Sequence, residues 1–214
     1  MSLIIFHEFG HFLAALLFKY KIDKIYIYPL GGIIKFNDYI NRKVYQELLV
    51  TITGPLFQII LSLFLVRFDK DIVIFSNLLL FFNLLPIVPL DGSKILSCFL
   101  NLIIPYKKSL TLFIYLSFIF LLFSFFYSYF NYYSFIIIIS LFLLLFKIFD
   151  ELKLINYSFD KFLLERYLYQ FKFRKTKVIR NIKDMYKYRN NLFIVNNKIY
   201  NEKEILVKYF SNKL

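Results

Sequence analysis

The 214-residue chain contains two histidines, and they stand four positions apart around a glutamate, as His7-Glu8-Phe9-Gly10-His11. On a helix of about 3.6 residues per turn, positions i and i+4 share a face, so both imidazoles reach one ion while Glu8 sits beside it. The expected ion is zinc, with Glu8 as general base on a water that the metal activates, which is the chemistry of amide hydrolysis. The bland alternative is that these side chains only pack against polar neighbours, or that a five-residue match is chance. Against it, ionisable groups inside an apolar helix are costly unless they are paired.

Two imidazoles leave a catalytic zinc one protein ligand short, because such sites use three and keep the fourth position for water. Cys98 is the single cysteine, which excludes an intrachain disulfide and a cysteine-based zinc site. The third ligand must be a carboxylate, and Asp91 is the candidate. It follows Pro86 and Pro89 in the segment NLLPIVPLDG, where proline leaves helical backbone groups unpaired. Irregular backbone at membrane depth is tolerated where it lines an enclosed or water-filled cavity. The other reading of Asp91 is a cap for a helix starting at Gly92, worth about 1 kcal/mol. Asn83 reads either as a donor to the scissile carbonyl or developing oxyanion, or as an ordinary interhelical hydrogen-bonder. Glu47 reads as an interfacial residue and Gln58 as a helix-packing one.

The elements that must position these residues are strongly apolar. Hydrophobic residues make up 59% of the chain, aromatic residues 22%, and the mean hydropathy is +0.61; an ordinary globular domain is about 45–50% apolar. Several runs approach the roughly 20 residues that cross a hydrocarbon core. The net charge of +13 sits in short flanks and in the last third of the chain, not on an aromatic-interleaved platform, so no nucleic-acid partner is expected. The first apolar run carries His and Glu and leads straight on, so no cleavable signal peptide is expected.

Residues 3–18 read as a slightly short membrane helix closed by charge at Lys19 to Lys24. Residues 25–36 read as a hairpin of two short apolar runs around a Pro/Gly turn. Residues 44–66 form a second span with Gly54-Pro55 in its middle, where a small residue allows close helix contact and proline bends the axis. A third apolar stretch, 72–90, is interrupted by its two prolines and followed by an apolar segment to about Ile104; residues 110–130 and 132–149 supply two more spans. From Asp150 the chain becomes mixed-charge and basic, which the positive-inside rule places in the cytoplasm. The expected fold class is an all-α integral membrane protein with about five transmembrane helices, a short membrane-associated β-hairpin and a small basic cytoplasmic α/β tail. Residues 1–150 form the membrane-embedded metalloprotease domain and 151–214 the tail. This is a multi-pass protein of the cell membrane, and five spans with an inside C-terminus put Met1 on the far side.

HEFGH at 7–11, TGPLFQ at 53–58 and NLLPIVPLDGSKIL at 83–96, in that order and separation, resemble the site-2 protease family of intramembrane zinc metalloproteases, peptidase family M50, and within it the sporulation-type bacterial members. The resemblance implies one zinc per chain on His7, His11 and Asp91, water activation by Glu8, and a substrate lying near the hairpin. It also implies regulated proteolysis of a membrane-associated protein, such as a precursor transcription factor, in the lipid bilayer, under control of a regulatory membrane protein. Three departures stand out. Members of this type carry a further hydrophobic segment before the H-E-x-x-H helix, whereas Met1 here lies six residues before His7, which is consistent with a shortened start. Gln58 stands where Asn is commoner, and Ser93 where a second Gly is. The tail segment NLFIVNNKIYNEKEILVKYF resembles, weakly, the strand, turn and acidic helix of a nucleotide-sensing CBS module. At roughly 65 residues the tail is too short for a full pair, and a basic membrane-surface tail is an equal alternative. Two other functions stay open: a catalytically silent zinc-binding scaffold, and a membrane metalloprotease with a cytoplasm-facing site whose third ligand is a Glu on a later helix.

Overall fold

The structure is a computed structural model that describes residues 2–28, 31–36, 39–67, 70–131, 135–169, 171–195 and 197–211. It is mostly helical, with a two-stranded and a three-stranded sheet, and the chain packs as two compact units. The first comprises Met1–Tyr39 and Val44–Ile95, the second Ile40–Lys43 and Leu96–Leu214.

In the first unit, α1 (Ser2–Leu17) ends where the sequence turns polar. Lys19 takes a left-handed φ of 56°, the Tyr20 N–H donates to the Ala15 carbonyl and the Lys19 N–H to that of Leu16, each at 2.9 Å. That pair of bonds is a Schellman close with lysine in the position glycine usually holds. Strands β1 (Ile22–Tyr28) and β2 (Gly31–Phe36) pair antiparallel, Ile25 opposite Ile34 and Tyr28 opposite Gly31; the turn at Pro29 and Leu30 lies outside the described residues. The expected hairpin is therefore present, its first strand starting three residues earlier than the apolar run suggested. Helix α2 (Val44–Leu65) carries Pro55 inside it, and α3 (Lys70–Asn83) precedes α4 (Asp91–Ile103). The expected break of the 72–90 stretch is real: α3 stops at Asn83, the Val88–Pro89 bond is cis, and helix resumes at Asp91.

Helices α1 and α2 approach closely because the residues between them are small. Ala14 and Ala15 are buried against Val50, and a Cβ at Gly10 would strike the Thr53 carbonyl oxygen. The outward faces are apolar instead: Ile60, Leu63 and Phe64 on α2 are exposed, as are Ile119, Phe123 and Phe126 on α5 (Tyr106–Asn131). Contiguous exposure of large apolar side chains at this density suits lipid rather than water. Among the described residues two helices, Val44–Leu65 and Tyr106–Phe130, are long and apolar enough to cross a membrane, while α1 and α3 are shorter apolar helices.

In the second unit α6 (Phe135–Leu168) runs unbroken past the expected domain boundary at residue 150. Residues 132–134, where the last expected span begins, lie outside the described set. Strand β3 (Thr176–Ile179) pairs parallel with β4 (Asn190–Val195), and β4 antiparallel with β5 (Lys198–Asn201), which leads into α7 (Glu202–Ser211). This is the strand, turn and acidic helix order expected of the tail, with Asn197 taking the left-handed φ of 58° in the turn. The apolar core comprises Tyr106, Phe159, Phe162, Leu163 and residues of the sheet and α7, including Phe193 and Leu206.

A buried polar knot sits beside that core. The Glu165 carboxylate accepts from the Ile40 and Asn41 backbone N–H groups and from Asn41 Nδ2, at 3.0 to 3.1 Å. Arg166 donates Nε to Asn41 Oδ1 at 2.6 Å and Nη2 to the Lys187 carbonyl at 2.5 Å, and it faces Glu202 across 3.4 Å. Desolvation pulls the Arg166 guanidinium down to about 10, against the neighbouring carboxylates of Glu202 and Glu165 that hold it up, so it stays charged at neutral pH.

Candidate metal centre

All three expected metal-ligating side chains lie in the first unit and converge. His7 and His11 face the same way from successive turns of α1, and Asp91 enters from the first position of α4. Asp91 Oδ2 lies 2.9 Å from Nε2 of each histidine, and the two Nε2 atoms are 3.2 Å apart. All three residues are buried, with relative exposures of 3%, 6% and 5%. Among the described residues this is the cluster of histidine and carboxylate groups able to hold a metal, and no glutamate of a later helix joins it.

The partners on the far side of each ring decide what the cluster can bind. His11 Nδ1 is 2.7 Å from the Val50 carbonyl, which only accepts, so Nδ1 carries the proton. His7 Nδ1 is 2.9 Å from Gln58 Oε1. That oxygen is the one facing the ring because Gln58 Nε2 donates to the Ser76 carbonyl at 2.8 Å, which fixes the amide. With both Nδ1 protons committed, two bare Nε2 lone pairs and a carboxylate oxygen point at one another, an arrangement that repels unless a cation stands among them. Tetrahedral zinc with bonds of about 2.0–2.1 Å sets its ligand atoms about 3.3 Å apart, close to the spacings seen. Two imidazole nitrogens and one carboxylate oxygen also form a donor set that suits zinc, so the residues fit the group.

Helix α2 supplies most of this support from one stripe. Val50, Gly54 and Gln58 are spaced i, i+4, i+8 and share a face: the first receives His11, the last receives His7, and the second makes room. A Cβ at Gly54 would land on the His11 ring. Asp91 is held from its other oxygen, Oδ1, by Lys94 Nζ at 2.9 Å, one turn along α4.

Gln58, read from sequence as a packing residue, does pack α2 against α3, and it is also the residue that orients His7. The signal for it was its spacing of four from Gly54. Neither Lys94 nor the Val50 carbonyl is marked by a motif in the sequence; a backbone oxygen carries no residue signature. Glu8 is half-buried on α1, within electrostatic reach of His11, His7 and Lys94. Asn83 is half-buried at the last position of α3, and its side chain makes no hydrogen bond to the three clustered groups. Asp91 is itself the first residue of α4, and its carboxylate oxygens face side chains, Oδ2 the two histidines and Oδ1 Lys94, in place of the cap expected for a helix starting at Gly92.

The chain resembles known proteins in sequence and in fold. A family model for peptidase family M50 matches residues 1–69, which include His7, Glu8 and His11. Stage IV sporulation protein FB of Bacillus subtilis is 32% identical over 178 residues, covering 78% of this chain and 62% of that protein. A zinc metalloprotease of Methanocaldococcus jannaschii is 34% identical over 119 residues, covering 50% of this chain and 34% of that protein. The chain thus spans less than two thirds of the length of these relatives. The solved site-2 protease from Methanocaldococcus jannaschii superposes with a TM-score of 0.58 at 25% identity, over 70% of this chain and 74% of that one. Motif, family model, relatives and fold all carry the same likeness, to the site-2 protease family, peptidase family M50.

Proposed function

We propose that the chain is an intramembrane zinc metalloendopeptidase that hydrolyses a peptide bond in or next to the membrane segment of a membrane-associated protein. The observation that carries the reading is the convergence of His7 Nε2, His11 Nε2 and Asp91 Oδ2 at 2.9 to 3.2 Å, with both imidazole protons committed elsewhere. One zinc per chain would be held by those three side chains. When bound it supplies Lewis acidity to the scissile carbonyl and makes water a competent nucleophile at neutral pH.

The chain's own residues do the rest. Glu8 takes the proton of the attacking water and passes it to the leaving amine nitrogen. Asn83 donates its side-chain N–H to the carbonyl oxygen as negative charge develops there. Lys94 holds Asp91 Oδ1, which keeps Oδ2 directed at the histidines. A substrate helix has to unwind before its backbone is reachable, and the β1–β2 hairpin offers main-chain groups at a strand edge with which an extended peptide pairs. The membrane domain of this reading comprises residues 1–150 with about five spans, and residues 151–214 form a cytoplasmic tail. A regulatory membrane protein is the partner that would keep such a site quiet.

The test is Glu8→Gln in the full chain, with cleavage of a co-expressed membrane-anchored relative of the family's substrates read by gel and bound zinc by elemental analysis. Loss of cleavage by about 10²-fold or more with zinc retained is the expected result, since the general base contributes on that scale. Cleavage at the wild-type rate would refute the assignment, and a wild type that holds zinc yet cuts nothing would favour the silent scaffold.

A further inference from the structure

A second charged cluster, remote in sequence from the metal centre, surrounds the foot of α5. Lys107 and Lys108 occupy the first turn of that helix, and Lys183, from the 3-10 turn Ile182–Asp184, lines a groove of about 420 Å³ with them. The rest of that wall is Thr111, Leu112 and Tyr115. These follow Lys108 at i+3, i+4 and i+7 and so continue one face of the helix away from the charges. An adjoining hollow of about 460 Å³ shares Lys108 and adds Lys177 and Arg180. One acid, Asp184, lines it too, already bonded to Lys108 at 2.8 Å. Lys177, Arg180 and Lys183 are exposed and take no acidic partner among the described residues. The Tyr106 N–H donates to the Met185 carbonyl at 2.9 Å, which holds the 3-10 turn against the helix foot.

We propose that this groove seats an anionic phospholipid, its phosphate among Lys108, Lys183 and the adjoining Lys177 and Arg180, and the start of an acyl chain along Leu112 and Tyr115. The order of chemistry along the groove, cationic at the helix foot and apolar along the next two turns, is the order of chemistry along a lipid. A soluble phosphate would use the cations but has no use for the exposed Leu112 and Tyr115 wall. Depth agrees as well: Tyr106–Phe130 is long enough to cross a membrane, and its first turn then lies where headgroups are, the level at which clustered lysines recruit anionic lipid. The inference rests on α5 crossing the bilayer and is independent of proteolysis.

The experiment places the full chain in nanodiscs of equal phosphatidylglycerol and phosphatidylcholine and counts lipids retained on release by native mass spectrometry. Wild type is expected to retain phosphatidylglycerol in several-fold excess. The K177Q/R180Q/K183Q variant, which changes exposed side chains only, is expected to lose that preference by about ten-fold, while K198Q/K203Q/K208Q in the same unit is expected to keep it. Equal retention of the two lipids by wild type, or an unchanged preference in the first variant, would overturn the proposal. So would abolition of the preference by millimolar inorganic phosphate, which would assign the cations to a free anion. A chain that fails to enter discs of phosphatidylcholine alone would instead sink the membrane reading of α5, a separate result.

Discussion

Each histidine of the candidate metal centre is defined by the atom behind it. His7 and His11 present Nε2 to the centre because Nδ1 of each is occupied, by Gln58 Oε1 and by the Val50 carbonyl. Partners of this kind fix tautomer and ring orientation and typically govern metal affinity by about 10- to 100-fold. Gln58→Leu keeps the volume roughly constant and removes the acceptor for His7 Nδ1. It is expected to weaken zinc binding by about that factor with the fold intact, as read by competition with a calibrated chelator and by circular dichroism. Unchanged affinity would mean that the His7 ring is held by packing alone. The three converging side chains were legible in the sequence as candidates, since H-E-x-x-H has a helical geometry behind it and Asp91 follows two prolines. Gln58 was only half legible: its polarity within an apolar helix marked it, but its partner 51 residues away follows from helix pairing, which no local pattern encodes.

At the level of elements, the small residues are what bring α1 and α2 together. Gly10, Ala14 and Ala15 on one helix and Gly54 on the other leave room for the His11 ring to reach a backbone carbonyl. The broken stretch between α3 and α4 was readable because proline cannot continue a helix. The end of α6 was not: the composition changes at Asp150, and a helix crosses a change from apolar to charged residues without breaking if its backbone bonds continue. The polar knot around Arg166 likewise left no sequence signal, because its members come from residues 41, 165, 166, 187 and 202. Arg166→Ala would strand Glu202 and the Asn41 and Lys187 oxygens in a buried setting. Removing one partner of a buried ionic network costs about 3–5 kcal/mol. A fall in the thermal midpoint of the detergent-solubilised chain by roughly 10 °C is expected for a chain of this size, and a midpoint within a degree of wild type would contradict the network's structural role.

Across the whole molecule, the candidate metal centre joins residues 80 and 84 positions apart, so a correctly folded first unit is a precondition for the site. The sequence made the convergent polar residues and the apolar character plain, and the break between α3 and α4 followed from proline. What it left unstated was which side chains stand behind the ligands and how the tail's sheet is ordered, both consequences of long-range packing. The most direct test of the account is the zinc content of the purified full chain by elemental analysis, with His7→Ala and Asp91→Ala alongside. About one zinc per chain in wild type, lost or greatly reduced in both variants, is the expected result. Wild type without zinc under metal-replete conditions, or full zinc retained by Asp91→Ala, would contradict it.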